Sequence, residues 1–276
     1  VTIEELLRRV PREAFVPDVV WVHRDDGWAV PLRRADDPDR WLELVRSDDS
    51  IITQVDDGAT ERGVWPTSSA SAPHIVATML EALDVEPGMR VLEIGTGTGY
   101  NAALLAELVG PQNVTSVEID AGLAEQARTA LARVGCHVRV VTADGTHGHA
   151  ANAPYDRVIA TAAVCRLPYE WVRQTRPGGL VLAPWGPTFH PDDPLAVLIV
   201  GEDGTAEGRF TCPAWFMPMR DQRMPQDVRH RTRERWEEMG EPAVSRFGLT
   251  VTATTQHIWL DRPDNPISPT LPRSAG

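Results

Sequence analysis

An α/β fold built around a parallel sheet is what this sequence predicts, and three observations carry it. Between residues 77 and 183, short apolar segments of strand length alternate with segments of helical periodicity. A glycine-rich turn, Gly95-Thr96-Gly97-Thr98-Gly99, joins one of these strands to the helix after it. Acidic residues stand at the ends of three successive strands, at Glu93, Glu118 and Asp144.

The elements follow in order. Ile3, Leu6, Leu7 and Val10 mark a short amphipathic helix, and Trp- and Asp-rich loops then run to residue 66. Ala77–Leu83 is a helix stopped by Glu86-Pro87-Gly88, and Arg90–Ile94 a strand. Asn101–Val109, rich in Ala and Leu, is a helix. Val114–Ile119 is a second strand, Leu123–Val134 a helix, His137–Val141 a third strand and Asp156–Thr161 a fourth. Tyr169–Thr175 is a helix halted by Pro177-Gly178-Gly179, and Leu180–Ala183 a fifth strand. Beyond residue 200 the pattern is irregular, with one charged helix and one late strand. Three segments result: 1–66, a helical and loop part contributing to a substrate pocket; 67–220, the main domain; and 221–276, an extension for substrate recognition. Strand–helix–strand units give a sheet covered on both faces, with ligands at the carboxyl ends of the strands. The loops after Glu93, Glu118, Asp144 and Thr161 should therefore face one site.

Composition narrows the classes. The net charge of −12 opposes a nucleic-acid partner, which would be gripped through Lys and Arg. No apolar run approaches the ~18 residues of a membrane span, and the first residues carry acids where a signal peptide would be basic. Cys136, Cys165 and Cys212 are odd in number and widely spaced, which indicates neither a zinc site nor a disulfide framework. A cytoplasmic monomer without metal is expected.

The glycine loop departs from the dinucleotide pattern, because its third glycine comes one residue early and Tyr100 takes that place. Glu93, just before the turn, would repel a pyrophosphate but suits a ligand bearing an ammonium and a sulfonium. S-adenosyl-L-methionine carries both and has no phosphate. Glu118, roughly 20 residues past the loop, fits a ribose acceptor, and Asp144 an acceptor for the adenine amino group. The expected cofactor set is Glu93, Gly95, Thr96, Gly97, Gly99, Asn101, Glu118, Ile119, Asp144 and Gly145. The plainer alternative makes these acids turn and cap residues.

Beyond this loop the chain resembles the protein-L-isoaspartate O-methyltransferase family. Val10-Pro11-Arg12-Glu13-Ala14-Phe15-Val16-Pro17 is similar to that family's N-terminal signature. Ser69-Ala70-Ser71-Ala72-Pro73-His74 is similar to its Ile-Ser-Ala-Pro-His segment, with Ser71 on the active-site serine. Val91–Asn101, Asp144-Gly145, Ala153-Pro154-Tyr155-Asp156 and Arg176-Pro177-Gly178-Gly179 match further motifs in order. The resemblance implies a Rossmann-like class I S-adenosylmethionine-dependent methyltransferase fold with N- and C-terminal additions, S-adenosyl-L-homocysteine as product, and a peptide carboxylate as target.

Two departures stand out. Ile51–Pro66 is longer and more acidic than the repair enzymes' glycine-rich approach to the serine loop, and the chain continues about 55 residues past the family's last strands. Both features, with Pro66-Thr67-Ser68-Ser69-Ala70-Ser71, the entry from Asp26-Gly27-Trp28 to Trp41-Leu42, and Trp259–Pro266, resemble a divergent branch associated with ribosomally synthesised, modified peptides such as graspetides and lasso peptides. That branch implies methylation of an ordinary L-aspartate in a precursor peptide, followed by closure to an aspartimide. Protein isoaspartate repair is the alternative.

A carboxylate is ionised at pH 7 and needs alignment and dehydration rather than a general base. Ser71 is the expected hydrogen-bond donor to it, with helix capping as its plainer role. Ser69 and Thr161 are the accompanying catalytic candidates, Thr161 closing the fourth strand. His147 and His149 read as surface loop rather than metal ligands. Trp185, Trp215 and Phe216 read as groove lining or as core, and Arg229–Arg235 as a solvated helix face or an acidic-peptide dock.

Overall fold

The computed structural model describes residues 2–272. The chain divides into two compact units, Val1–Gly145 and Thr146–Gly276. This boundary falls inside the segment 67–220 that the sequence presents as one domain.

The first unit opens with α1 (Ile3–Arg9), capped by Thr2, whose hydroxyl accepts from the Glu5 amide at 3.2 Å. Where loops are expected from the sequence there is instead an antiparallel sheet. It comprises β1 (Val19–His23), β2 (Ala29–Arg33), β3 (Ile51–Val55) and β4 (Pro66–Ala70), in the order β2-β1-β3-β4. Gly27, at φ +85°, makes the β1–β2 turn. Helix α2 (Pro38–Arg46) lies between β2 and β3 in sequence, with Asp37 as its cap. Its wholly buried Trp41 gathers Val16, Val20, Val45, Ile51 and Ala70 into a core. Burial of apolar area on this scale, about 25 cal/mol per Å², holds a sheet whose strands are only five residues long.

The β3–β4 hairpin carries a ten-residue tip, residues 56–65. The Asp56 carboxylate accepts from the amides of Val64 and Trp65, both at 2.9 Å. Gly63 exchanges two backbone hydrogen bonds with Ala29, and a Cβ there would collide with the Val55 side chain. Trp65 is left 56% exposed.

Next come α3 (Pro73–Leu83), β5 (Val91–Ile94), α4 (Tyr100–Val109), β6 (Val114–Glu118), α5 (Ala121–Arg133) and β7 (Arg139–Thr142). β6 pairs in parallel with both β5 and β7, so Glu93 and Glu118 approach the same end. Helix α3 begins four residues before its expected start. Pro73 suits a first helical position, and Asp48, remote in sequence, accepts from the His74 amide at 3.0 Å.

The second unit contains β8 (Tyr155–Ala160), α6 (Tyr169–Arg173), β9 (Thr175–Pro184), β10 (Pro194–Val200), β11 (Ala206–Pro213), α7 (Gln226–Glu238), β12 (Phe247–Val251), β13 (Gln256–Leu260) and β14 (Pro266–Ile267). β8 and β9 are parallel; each later strand pairs antiparallel with the one before it. Pro177-Gly178-Gly179 does not stop an element as the sequence suggests. It forms an irregularity within β9, where the register jumps from Tyr155↔Thr175 to Arg157↔Leu180. The segment after residue 220 is likewise more regular than expected. β12 pairs with β11, and Asp261, at φ +66°, turns the chain while its carboxylate grips Arg246 at 2.7 Å.

Candidate active site

Three glycines with positive φ shape the turn after β5: Gly95 (+95°), Gly97 (+53°) and Gly99 (+86°). The Gly95 amide donates to the Val117 carbonyl at 2.8 Å, and the Gly99 amide to the Thr96 carbonyl at 2.9 Å, closing the turn. Gly99 packs so closely that a Cβ would lie 3.3 Å from Leu131 of α5. The result is a helix N-terminus at α4 preceded by backbone that no larger residue adopts easily.

Glu93 stands where the sequence puts it, just before the turn at the end of β5, and its carboxylate is wholly buried. Asn101 Nδ2 donates to one oxygen at 2.7 Å, and the Ser116 hydroxyl to the other. The Ser116 oxygen also meets the Thr96 hydroxyl at 2.6 Å. Burial pushes the Glu93 carboxyl up to about 7, against the downward pull of its two donors. Glu93, Asn101, Thr96 and Ser116 therefore form one buried polar network that locks the loop to β6, and the hydroxyl of Thr96 points into it. Ser116 was not foreseen; a serine inside an apolar strand directly beside Glu93 in the parallel register was the available signal.

Glu118 is buried at the end of β6. Its Oε2 accepts from the Gly97 amide at 2.9 Å and its Oε1 from the Asp120 amide at 3.0 Å. Each oxygen keeps a second lone pair. Directly after it, Ile119 is 46% exposed, an apolar surface beside a carboxylate. Asp144 is exposed after β7, and Gly145 sits where a Cβ would come 2.6 Å from Ile94. Glycine loop, Glu118, Ile119, Asp144 and Gly145 all belong to the first unit.

The serine segment approaches the same loop. A Cβ on Gly97 would lie 3.7 Å from the Ser69 carbonyl oxygen and 3.8 Å from Ser68 Oγ. Ser71 is half-buried between β4 and α3. The capping role weighed for it does not hold: the cap position is Ala72, with no side-chain cap bond. No hydrogen bond involves the Ser71 hydroxyl among the described residues. Asp48 takes over at the helix start, and its other oxygen lies 2.9 Å from His74 Nδ1. Ser69, half-buried on β4, stands opposite Ile52. Gln54 joins this wall to α5: its oxygen accepts from Thr67 at 2.8 Å, and its Nε2 donates to Asp120 at 3.3 Å.

Arg12 also belongs here, although sequence reasoning gave it no role. It is only 6% exposed and donates to the carbonyls of Ser47 (3.1 Å), Asp49 (2.7 Å) and Ala70 (2.8 Å). Burial lowers its pKa from the usual guanidinium value.

Thr161 belongs to the second unit, half-buried just after β8. The loop that follows is held by Gln222, whose oxygen accepts from the amides of Cys165 (2.7 Å) and Arg166 (2.9 Å). Gln256 accepts from the Leu167 amide at 3.0 Å. Trp185 is fully buried, with Nε1 donating to Thr188, and so belongs to the core rather than to a groove. Trp215 is 64% exposed, with the Arg229 guanidinium 4.6 Å from its ring. Arg229 is itself bound to Asp193, so α7 is not a uniformly solvated face. Among the described residues no three His, Cys, Asp or Glu side chains gather as metal ligands, and no helix is long and apolar enough to cross a membrane.

Comparison with known proteins agrees with this geometry. The family model described as protein-L-isoaspartate(D-aspartate) O-methyltransferase matches residues 56–224. The protein-L-isoaspartate O-methyltransferase of Hyperthermus butylicus is 35% identical over 227 residues, covering 79% of this chain and 80% of that one. That of Methanopyrus kandleri is 46% identical over 152 residues, 54% of this chain and 66% of the other. A solved protein-L-isoaspartate O-methyltransferase superposes with a TM-score of 0.68 at 21% identity, covering 94% and 95% of the two chains. A Plasmodium falciparum beta-aspartate methyltransferase structure, in complex with S-adenosyl-L-homocysteine, superposes at 0.53 with 15% identity, covering 80% of this chain and 100% of that one. These likenesses bear out the Rossmann-like class I fold.

Proposed function

The chain belongs to the protein-L-isoaspartate(D-aspartate) O-methyltransferase family, and from that premise we propose that it methylates the free carboxylate of isoaspartyl residues in peptides or proteins. It is an S-adenosylmethionine-dependent carboxyl O-methyltransferase. The observation that carries the proposal is the approach of β4, at Ser68 and Ser69, to the glycine loop at Gly97. This brings the strand that leads into Ser71 beside the loop on which the methyl donor would rest.

The residues fit that donor. The turn at Gly95, Gly97 and Gly99 admits close backbone contact, the spare lone pairs of Glu118 would accept from the ribose hydroxyls, Ile119 would offer an apolar face to the adenine, and Asp144 would accept from its amino group. Bound there, S-adenosyl-L-methionine supplies an electrophilic methyl group on a positively charged sulfur. Glu93 would contribute as a buried carboxyl that holds Asn101 and Ser116.

The substrate carboxylate is already ionised at neutral pH, so no side chain has to remove a proton. Ser71 donates a hydrogen bond to one carboxylate oxygen and leaves the other to attack in line. Ser69 lines the approach, and Thr161, half-buried just after β8, is kept as a further candidate. Methoxide leaves the ester carbonyl far more readily than oxide leaves a carboxylate. The next residue's backbone nitrogen displaces methanol and closes a succinimide.

A second reading is methylation of an ordinary aspartate in a modified precursor peptide in the cytoplasm. One observation favours it: the acidic hairpin tip 56–65 carries the exposed Trp65, an apolar surface beside the strand that leads into Ser71. An isoaspartyl hexapeptide and its aspartyl twin separate the two readings. Under the main proposal, mass spectrometry finds one added methyl on the isoaspartyl peptide, then loss of methanol. Methylation of the twin alone would replace it with the second reading.

A further inference from the structure

We propose that Arg12 is a positioning residue for the serine loop, setting the direction in which Ser71 leaves β4 and thereby the hold on the substrate carboxylate. The peptide arm of its test rests on the function proposed above; the structural arm does not.

The guanidinium joins two separate stretches of chain. Ser47 and Asp49 lead from α2 into β3, and Ala70 is the last residue of β4, directly before Ser71. Its planar fork reaches all three carbonyls at once, a geometry the single nitrogen of lysine does not reproduce. Among the described residues no carboxylate forms an ion pair with it. Asp48 is committed to His74, and burial lowers the Arg12 pKa against the upward pull of its charged surroundings.

A buried cation bound only to carbonyls, with its Nε lacking any partner, is not an economical way to stabilise a fold. It does fix the Ala70 peptide plane, and with it the start of the segment from Ser71 to Pro73. The same N-terminal turn touches the other half of the site. The Phe15 ring lies 5.7 Å from that of Tyr100, the first residue of α4 after Gly99. Residues 12–15 thus touch both the serine loop and the start of the helix behind the glycine loop.

The test uses the full chain with Arg12→Lys and Arg12→Gln, read by hydrogen exchange and by kinetics on the isoaspartyl hexapeptide. In Arg12→Lys, amides of residues 70–76 should exchange at least about tenfold faster, with β5 and α4 unchanged. The peptide KM should rise about tenfold, while the dissociation constant of S-adenosyl-L-homocysteine stays within about twofold. Arg12→Gln should go further in the same direction; if it does not fold, the lysine variant alone decides. Unchanged exchange at residues 70–76 would overturn the proposal. So would a loss of protection spread through residues 2–145 with an unchanged peptide KM. A wild-type chain that turns over neither peptide would defeat the function reading, and the exchange result would still decide the role of Arg12.

Discussion

Replacing Glu93 by glutamine should stabilise the ligand-free chain at alkaline pH and weaken its grip on the methyl donor. Glu93 is wholly buried, and its carboxyl is raised from 4.5 to about 7. Below pH 4.5 the group is protonated in both folded and unfolded chains and contributes nothing. Between 4.5 and about 7 the folded chain keeps a proton that the unfolded chain has released, so stability falls as pH rises. Above about 7 the full penalty is present, about 3 kcal/mol at 1.36 kcal/mol per pH unit. Glutamine removes the titration and keeps the network: its oxygen accepts from Asn101, and its amide donates to Ser116, whose hydroxyl turns to Thr96. Urea unfolding at pH 5 and pH 8 measures the effect. The variant should gain up to about 3 kcal/mol over wild type at pH 8 and much less at pH 5. Calorimetry should show weaker binding of S-adenosyl-L-methionine, by about tenfold at pH 8, and a smaller loss for uncharged-sulfur S-adenosyl-L-homocysteine. Identical urea midpoints for the two proteins at both pH values would refute the claim that burial of this charge is costly.

Ser71→Ala should slow methyl transfer by about 10²-fold, with donor affinity unchanged by calorimetry, because only the alignment of the carboxylate is lost. Gly97→Ala should weaken donor binding and destabilise the chain by about 1–2 kcal/mol, since φ of +53° disfavours any Cβ; thermal melts with and without donor measure both effects. Glu118→Ala strips the Gly97 and Asp120 amides of their acceptor and should raise the donor dissociation constant at least about tenfold. Asp56→Ala releases the amides of Val64 and Trp65 and should alter the ratio of kcat/KM between isoaspartyl and aspartyl peptides more than donor affinity.

Much of the first unit's parallel layer was legible because its signals are local. A five-residue glycine turn, acids at strand ends and alternating periods of two and 3.6 residues need no distant partner to be recognised. The antiparallel sheet β2-β1-β3-β4 was not legible. Pro31, His23 and the polar Thr53-Gln54 break the alternation in its strands, and the burial of Val20, Ile51 and Ala70 comes from Trp41 of α2. Pro177-Gly178-Gly179 reads locally as a stop, yet pairing with β8 carries the strand through it. In the site, acids at strand ends identified Glu118 and Asp144, and the family resemblance identified Ser71. The sealing of Glu93 depends on Ser116, and the role of Arg12 on carbonyls at residues 47, 49 and 70. Side-chain chemistry alone does not reveal which main-chain oxygens a folded chain brings within reach.

The hairpin tip is fastened at both ends. Asp56 ties the ascending side to Val64 and Trp65, and Gly63, wedged against Val55 and bonded to Ala29, anchors the return. Between these two clasps the amides of Asp57, Gly58 and Ala59 are bonded to Thr67 and Val55, while the side chains of Asp57, Thr60, Glu61 and Arg62 face outward. The rim's charge is thus carried by side chains whose backbone is already spoken for, so recharging it leaves the register that delivers Ser71 in place.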